Sequence, residues 1–234
     1  MSISDSSTTS GAVPLPPRRR RLRYLLPRVD STLVLRAEVP RLAERAPAYP
    51  LAAYQLGVPQ EVRGYLEALA PRERKSALRR VAGAERVVYV PADDHLAFWE
   101  FVQLHPADLP PDLRQAEGEA AAYVYGAFTD ERHRGHGLFT GGLKWLVDWL
   151  AGQGYTHLYS QTAVEDVISL LAHLTAGFEA LGEGRHLHWG GRRYPQPTRW
   201  LREPVSAGCR EETRLTGISP RARESLRRAL LCPR

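Results

Sequence analysis

Between a strand-like run, Tyr123 to Phe128, and a long amphipathic helix pattern lies the short cationic turn Thr129-Asp130-Glu131-Arg132-His133-Arg134-Gly135-His136-Gly137-Leu138-Phe139. No other stretch narrows the choice of fold as much. A strand that turns through two glycines into a helix, with a further strand beyond, calls for an α/β layout with a right-handed parallel crossover. The first turn of a helix offers N–H groups that lack intrahelical partners, at the positive end of the macrodipole. Such a turn therefore suits an anion such as a phosphate. Gly135 and Gly137 let the backbone close on it, because a Cβ would hold it away, and Arg132, Arg134, His133 and His136 surround it with positive charge. On its own an Arg-Gly-His-Gly turn is a weak signal, since such turns more often only join a strand to a helix. The neighbouring sequence has to decide.

The elements on either side supply the context. Strand patterns are expected at Thr32–Val39, 86–90, 96–104, 120–128, Thr156–Gln161, 179–190 and 192–202. Helices are expected from Pro59 to Ala70 and from Pro71 to Val81, each opened by a proline that needs no N–H there. The helix after the turn carries Phe139, Leu143, Leu146, Val147 and Leu150 at helical spacing and stops at Gly152 and Gly154. Trp145 and Trp149 form a second ridge and read as core. A shorter helix from about Val164 to Thr175 puts Val164, Val167, Ile168, Leu171 and Leu174 on its expected buried side and ends at Gly177-Phe178. The three runs 86–90, 96–104 and 120–128 fit an antiparallel meander, and Pro220–Leu231 reads as a basic helix.

Charge divides the chain into three. The net +6 splits into +5 for residues 1–29, +4 for 206–234 and −3 for 30–205. The expected organisation is a disordered basic tail over 1–29, one domain over 30–205 and a basic extension with a short helix over 206–234. A mildly acidic core argues against gripping nucleic acid, and the arginine-rich ends leave room only for a weak contact. No apolar run approaches the roughly 20 residues of a membrane span, and none follows the Arg18–Arg21 run as a secretory leader would require, so a cytoplasmic protein with no membrane partner is expected. Cys209 and Cys232 form neither a disulfide framework nor a metal cluster, and His186-x-His188 lacks a third ligand, so no metal is expected.

Two motifs together resemble the GNAT superfamily of acyl-CoA N-acyltransferases. Members carry Val-x-Pro-x-x-Arg-Gly-x-Gly-x-Gly/Ala at the start of a helix, and here the register is Thr129-x-Glu131-x-x-Arg134-Gly135-His136-Gly137-Leu138-Phe139. The second motif, Asn-x-x-Ala/Ser followed by Tyr or His and then Gly-Phe, appears as Asp166-x-x-Ser169-x-x-x-His173-x-x-x-Gly177-Phe178. The resemblance implies a mixed, mostly antiparallel sheet with a central parallel strand–helix–strand crossover and flanking helices. It implies acetyl-CoA or another acyl-CoA as cofactor, held by Phe128, Thr129, Arg134, Gly135, His136, Gly137, Leu138, Phe139, Asp166 and Ser169. The implied reaction is acetyl transfer to a primary amine, on a small molecule or a peptide, by direct attack in a ternary complex. Two other readings stay open: a catalytically degenerate binding or regulatory module, and a related aminoacyl transferase that uses charged tRNA.

Within that reading a backbone N–H near Phe128 or Thr129 polarises the thioester carbonyl. His173 is the expected proton donor to the thiolate, lying with Asp166 and Ser169 on a polar stripe away from the helix's apolar face. Glu100 interrupts the strand face Leu96, Phe98, Val102, Leu104 and is the candidate base, provided that the strand edge does not expose it to water. Tyr125 is a second candidate. Phe139 in place of a small residue, Asp166 in place of Asn and Glu131 in place of Pro depart from the family pattern.

Overall fold

Eight strands form one sheet in the order β2-β3-β4-β5-β6-β1-β7-β8. The computed structural model describes residues 28–40, 53–105, 120–189, 192–207 and 215–231. The strands are β1 (Arg28–Glu38), β2 (Gln55–Gly57), β3 (Arg86–Ala92), β4 (His95–Gln103), β5 (Ala121–Thr129), β6 (His157–Ala163), β7 (Glu179–Trp189) and β8 (Arg192–Val205). The helices are α1 (Pro59–Glu67), α2 (Pro71–Val81), α3 (Leu138–Gly152), α4 (Val167–Ala176) and α5 (Pro220–Leu231), with a 3₁₀ turn at Glu131–His133. The expected tail, up to residue 27, lies outside the described residues, as do the loop 106–117, Gly190-Gly191, Cys209 and Cys232.

Every neighbouring pair is antiparallel except β5–β6, which is parallel and joined through α3. The expected meander is β3–β4–β5. The place of β1 is not evident from its sequence: it runs through the sheet's interior between β6 and β7. Leu33, Val34 and Leu35 are accordingly all fully buried, on both faces of the strand.

Helices cover both faces. On one, Leu35, Val88, Phe98 and Leu158 meet Leu143, Leu146 and Leu150 of α3 and Leu170 and Leu174 of α4. On the other, Val87, Trp99 and Phe101 pack against Val62 and Leu66 of α1 and Ala77 of α2. Trp145 and Trp149 pack against the first core, as expected. Alternation along β4 is broken by a register shift opposite Val90/Pro91, so Leu96 turns to the α1 side, away from Phe98 and Val102. Leu215, Ile218, Ala222, Leu226 and Ala229 also join the first core, which builds α5 into the domain. Buried Glu183 on β7 fixes its entry, accepting from Ser219 N at 2.8 Å and Ser219 Oγ at 2.9 Å. No helix among the described residues is long and apolar enough to cross a membrane.

One packing contact positions the glycine turn. A Cβ on Gly142 would come within 2.5 Å of the Phe98 ring, so its absence lets α3 lie against β4. The start of the same helix is anchored by Tyr54, whose hydroxyl donates to Leu138 O at 2.9 Å. Phe98 is fully buried, and truncating it to alanine would cost about 3–5 kcal/mol.

Candidate active site

The parallel pair is paired over only part of its length. β5 and β6 match from Ala121↔His157 to Val124↔Ser160, yet β5 continues to Thr129 and β6 to Ala163. Beyond Val124 and Ser160 the two strands part. The gap opens a cleft of about 480 Å³ between the end of β5, the glycine turn and α4. Every residue expected at a cofactor lines it except His136, which is exposed and lies outside it. Ala127, Thr140 and Ala172, which sequence reasoning did not single out, also line it, as does Ile168, expected instead on the buried side of its helix.

The turn has the backbone that an anion cradle needs. Gly135 and Gly137 have φ of +80° and +74°, in the left-handed region, and Gly137 is the N-cap of α3. A Cβ on Gly135 would meet nothing within 4 Å, so it would project into open space at the lip of the cleft. The first intrahelical bond runs from Gly141 N to Gly137 O, and the N–H groups of the preceding turn have no carbonyl of their own helix to reach. Arg134 lies back on the turn, with Nε on Thr129 O at 3.2 Å, Nη1 on Glu131 at 3.3 Å and its guanidinium 6.0 Å from the Phe128 ring centroid. That ion pair is exposed on both sides and holds little energy, so the guanidinium is free to turn toward an anion. These features fit a diphosphate-bearing cofactor.

The three departures from the family pattern have structural answers. Phe139 does not crowd the turn; its ring leans across to α4, edge-on to His173 at a centroid distance of 4.8 Å. Asp166 precedes α4 and caps it, Oδ1 accepting from Ser169 N at 3.0 Å. The carboxylate then sits at the positive end of the helix, where its charge is favourable. Glu131 pairs with Arg134.

A second, polar pocket of about 150 Å³ adjoins the cleft and shares Ala127, Phe139, Asp166 and Ser169 with it. Glu100 reaches it from β4, Ser160, Gln161 and Thr162 from β6, His173 from α4, and Arg80 from α2. The sequence held a signal for the β6 residues, a run of hydrogen-bonding side chains within a strand directly after the helix. Arg80 gave none.

Glu100 is fully buried, not exposed at a strand edge, and neither carboxylate oxygen has a hydrogen-bond partner among the described residues. Burial alone pushes its carboxyl up to about 8. A β-bulge sits opposite: Trp99 pairs with Phe128 and Phe101 with Tyr125, so Glu100 faces the two residues Gly126 and Ala127. Gly126, at φ +66°, makes that bulge possible.

His173 corrects the sequence reading. It is not on an exposed polar stripe but only 4% exposed, while Ile168, expected in the core, is 83% exposed. The helix begins at Val167, with Asp166 as its cap, and Leu170, His173, Leu174 and Ala176 form its buried side. Desolvation brings His173 down to about 4, so it is neutral near pH 7. Nδ1 lies 2.7 Å from Ser169 O, which can only accept, so Nδ1 carries the proton. Nε2 is then an acceptor for the Ser160 hydroxyl at 3.0 Å. A neutral ring whose single N–H is committed has no proton for a leaving group. Tyr125 is also unsuited as a base, since burial pushes its phenol up to about 12 and its hydroxyl donates to Arg80 O at 3.0 Å.

No protein-family profile matches the chain, and no curated protein does. Similar solved structures include an acetyltransferase from the GNAT family of Colwellia psychrerythraea, 16% identical, covering 70% of this chain and 56% of that one, with a TM-score of 0.46. A GCN5-related glucosamine N-acetyltransferase region of a fungal multi-domain β-N-acetylglucosaminidase is 14% identical over 70% of this chain and 21% of that one, with a TM-score of 0.49. A conserved protein of unknown function from Staphylococcus epidermidis is 9% identical over 72% and 65%, with a TM-score of 0.48. The chain thus spans less than two thirds of each. With all three TM-scores below 0.5, these likenesses decide nothing about activity. By its own topology, a mostly antiparallel sheet whose one parallel pair parts beside a glycine-rich helix start, the chain has the GNAT-like fold that its sequence motifs imply.

Proposed function

We propose that the protein is an acetyl-CoA-dependent N-acyltransferase that acts on a primary amine by direct attack. The observation that carries this reading is the junction of two cavities: an anion-cradling cleft meets a small polar pocket that holds a fully buried carboxylate with no hydrogen-bond partner among the described residues. Acetyl-CoA, when bound, supplies an activated thioester carbonyl. The N–H groups of the glycine turn and the start of α3, with the Arg134 guanidinium, hold its phosphates.

The chain's own groups support the remaining steps. Asp130 N donates to Ala97 O on β4 at 3.0 Å, which turns Thr129 N–H, one residue earlier, to the side that β6 has left. That N–H serves to polarise the carbonyl. Glu100, once ionised, takes the proton from the acceptor's ammonium, so that the neutral amine forms the C–N bond as the C–S bond breaks. As the amide forms its nitrogen gives up a second proton, which passes to the departing thiolate; a thiol titrates near 8.5, so the free thiol results without a protein donor. His173 acts through position: it fixes the Ser160 hydroxyl and gives Phe139 a surface to rest on at the junction of the two cavities.

The reading is tested by thermal shift with acetyl-CoA, followed by mass analysis of products from an amine panel. Ligand that binds only the folded protein raises the melting temperature by mass action. A clear shift is expected for the native protein and its loss for Gly135→Val, whose branched Cβ would stand in the cradle at a strained φ. Absence of any shift at millimolar acetyl-CoA would overturn the proposal.

A further inference from the structure

A second constellation stands at the start of the glycine turn. His95 opens β4 directly after the β3–β4 turn, Asp130 caps the 3₁₀ turn, and His133 ends it. Their ligand atoms lie within 4.8 Å of one another, and all three residues are partly buried. Nε2 of His95 and Nε2 of His133 face each other at 3.3 Å, with the rings tilted by 31°. Two nitrogens bound to one zinc ion at 2.0–2.1 Å with a tetrahedral angle stand about 3.3–3.4 Å apart. The imidazole pair already has that spacing.

The surroundings set the donor atoms in the state a metal requires. Nδ1 of His95 lies 3.2 Å from Asp94 Oδ1, an acceptor, so the proton sits on Nδ1 and Nε2 presents its lone pair. A carboxylate that orients a ligating histidine through its other nitrogen is the usual outer partner of such a site. Asp130 Oδ1 accepts from Arg132 N at 3.0 Å, which fixes the carboxylate beside the two rings. Arg132 also places a positive charge nearby, bonding Oδ1 at 2.9 Å through Nε and Oδ2 at the longer 3.3 Å through Nη2. Oδ2 is thus the oxygen more easily turned to an ion.

We propose that His95, His133 and Asp130 form a binding site for a divalent transition-metal ion, with zinc the best fit and water as the fourth ligand. Two imidazoles and one carboxylate are a donor set that zinc accepts and that calcium or magnesium, which prefer oxygen, does not. The site ties the β3–β4 turn to the turn that carries the glycines, and His133 itself lines the cleft.

The probe is zinc alone, titrated calorimetrically into the chelator-stripped full chain near neutral pH. One tight equivalent is expected. His95→Ala and His133→Ala should each weaken it by a hundred-fold or more, and Asp94→Asn by about ten-fold through loss of the outer partner. Circular dichroism should show that these variants remain folded. Cobalt in place of zinc should give the intense visible absorption of a four-coordinate centre, and His133→Ala should abolish it. No tight equivalent in the native protein, or native affinity retained in either histidine variant, would overturn the assignment. None of these readouts uses acetyl-CoA, so the metal site and the proposed activity fail independently.

Discussion

The β4 wall and the α4 wall of the polar pocket each bury one ionisable side chain, and the two differ in how their polar atoms are met. Glu100 on β4 has no hydrogen-bond partner among the described residues, and burial holds it near 8. His173 on α4 has both ring nitrogens engaged, by Ser169 O and the Ser160 hydroxyl, and burial holds it near 4. Both are uncharged at neutral pH. Only Glu100 is left with bonding capacity for a ligand, so the β4 wall is the reactive one and the α4 wall is structural. An unsatisfied buried group costs about 1–3 kcal/mol and persists where something other than stability requires it.

The sharpest break between the walls is catalytic. Glu100→Gln should lower kcat/KM for amine acetylation by about 10²–10⁴-fold. Acetyl-CoA affinity, measured by calorimetry, should stay within a few-fold, because Glu100 lines the small pocket and not the cleft. A joint loss of turnover and cofactor binding would place Glu100 in the framework.

Stability against pH separates the walls next. The folded pKa of Glu100 is raised above its ordinary 4.5, so its contribution is full below about 4.5 and is lost as pH rises through about 8. Glu100→Gln should therefore stabilise the protein above pH 8, on the order of a few kcal/mol, and change little near pH 5. His173 has the opposite sign. Its folded pKa lies below the ordinary 6.5, so its contribution is full above about 6.5 and is lost as pH falls through about 4. His173→Phe should remove that part of the acid destabilisation while costing about 1–3 kcal/mol at neutral pH for the unpaired Ser160 hydroxyl. Denaturant titrations at several pH values check both slopes.

The smallest effect is expected on the chemistry of the α4 wall. His173→Phe should leave kcat within about ten-fold and keep the pH dependence of the native enzyme. A loss as large as that of Glu100→Gln would return the proton-donor role to His173.

Sequence periodicity carried the elements and the glycine turn because each rests on local chemistry. Prolines open α1 and α2, Gly177 caps α4 at φ +106°, and Gly135 and Gly137 take conformations that few other residues adopt. Glu100 stood out as one charge in an apolar strand, but the bulge that shelters it depends on β4–β5 pairing. The face of α4 was misassigned because its sequence is apolar nearly all round. Ile168 and Leu170 are both strong hydrophobes, and only packing beside the cleft exposes one and buries the other. The insertion of β1 between β6 and β7, and the meeting of His95 with His133 across 38 positions, are long-range events without a local signature.

The most direct test of the buried base is the pH profile of kcat/KM for acetylation of an amine acceptor, native protein beside Glu100→Gln, over about pH 6 to 10. Glu100 must be ionised to take a proton, so native activity should fall about ten-fold per pH unit below a bend near 8, and that limb should be missing in the variant. A native profile without that limb, or the same limb in both proteins, would contradict the assignment of Glu100 as the base.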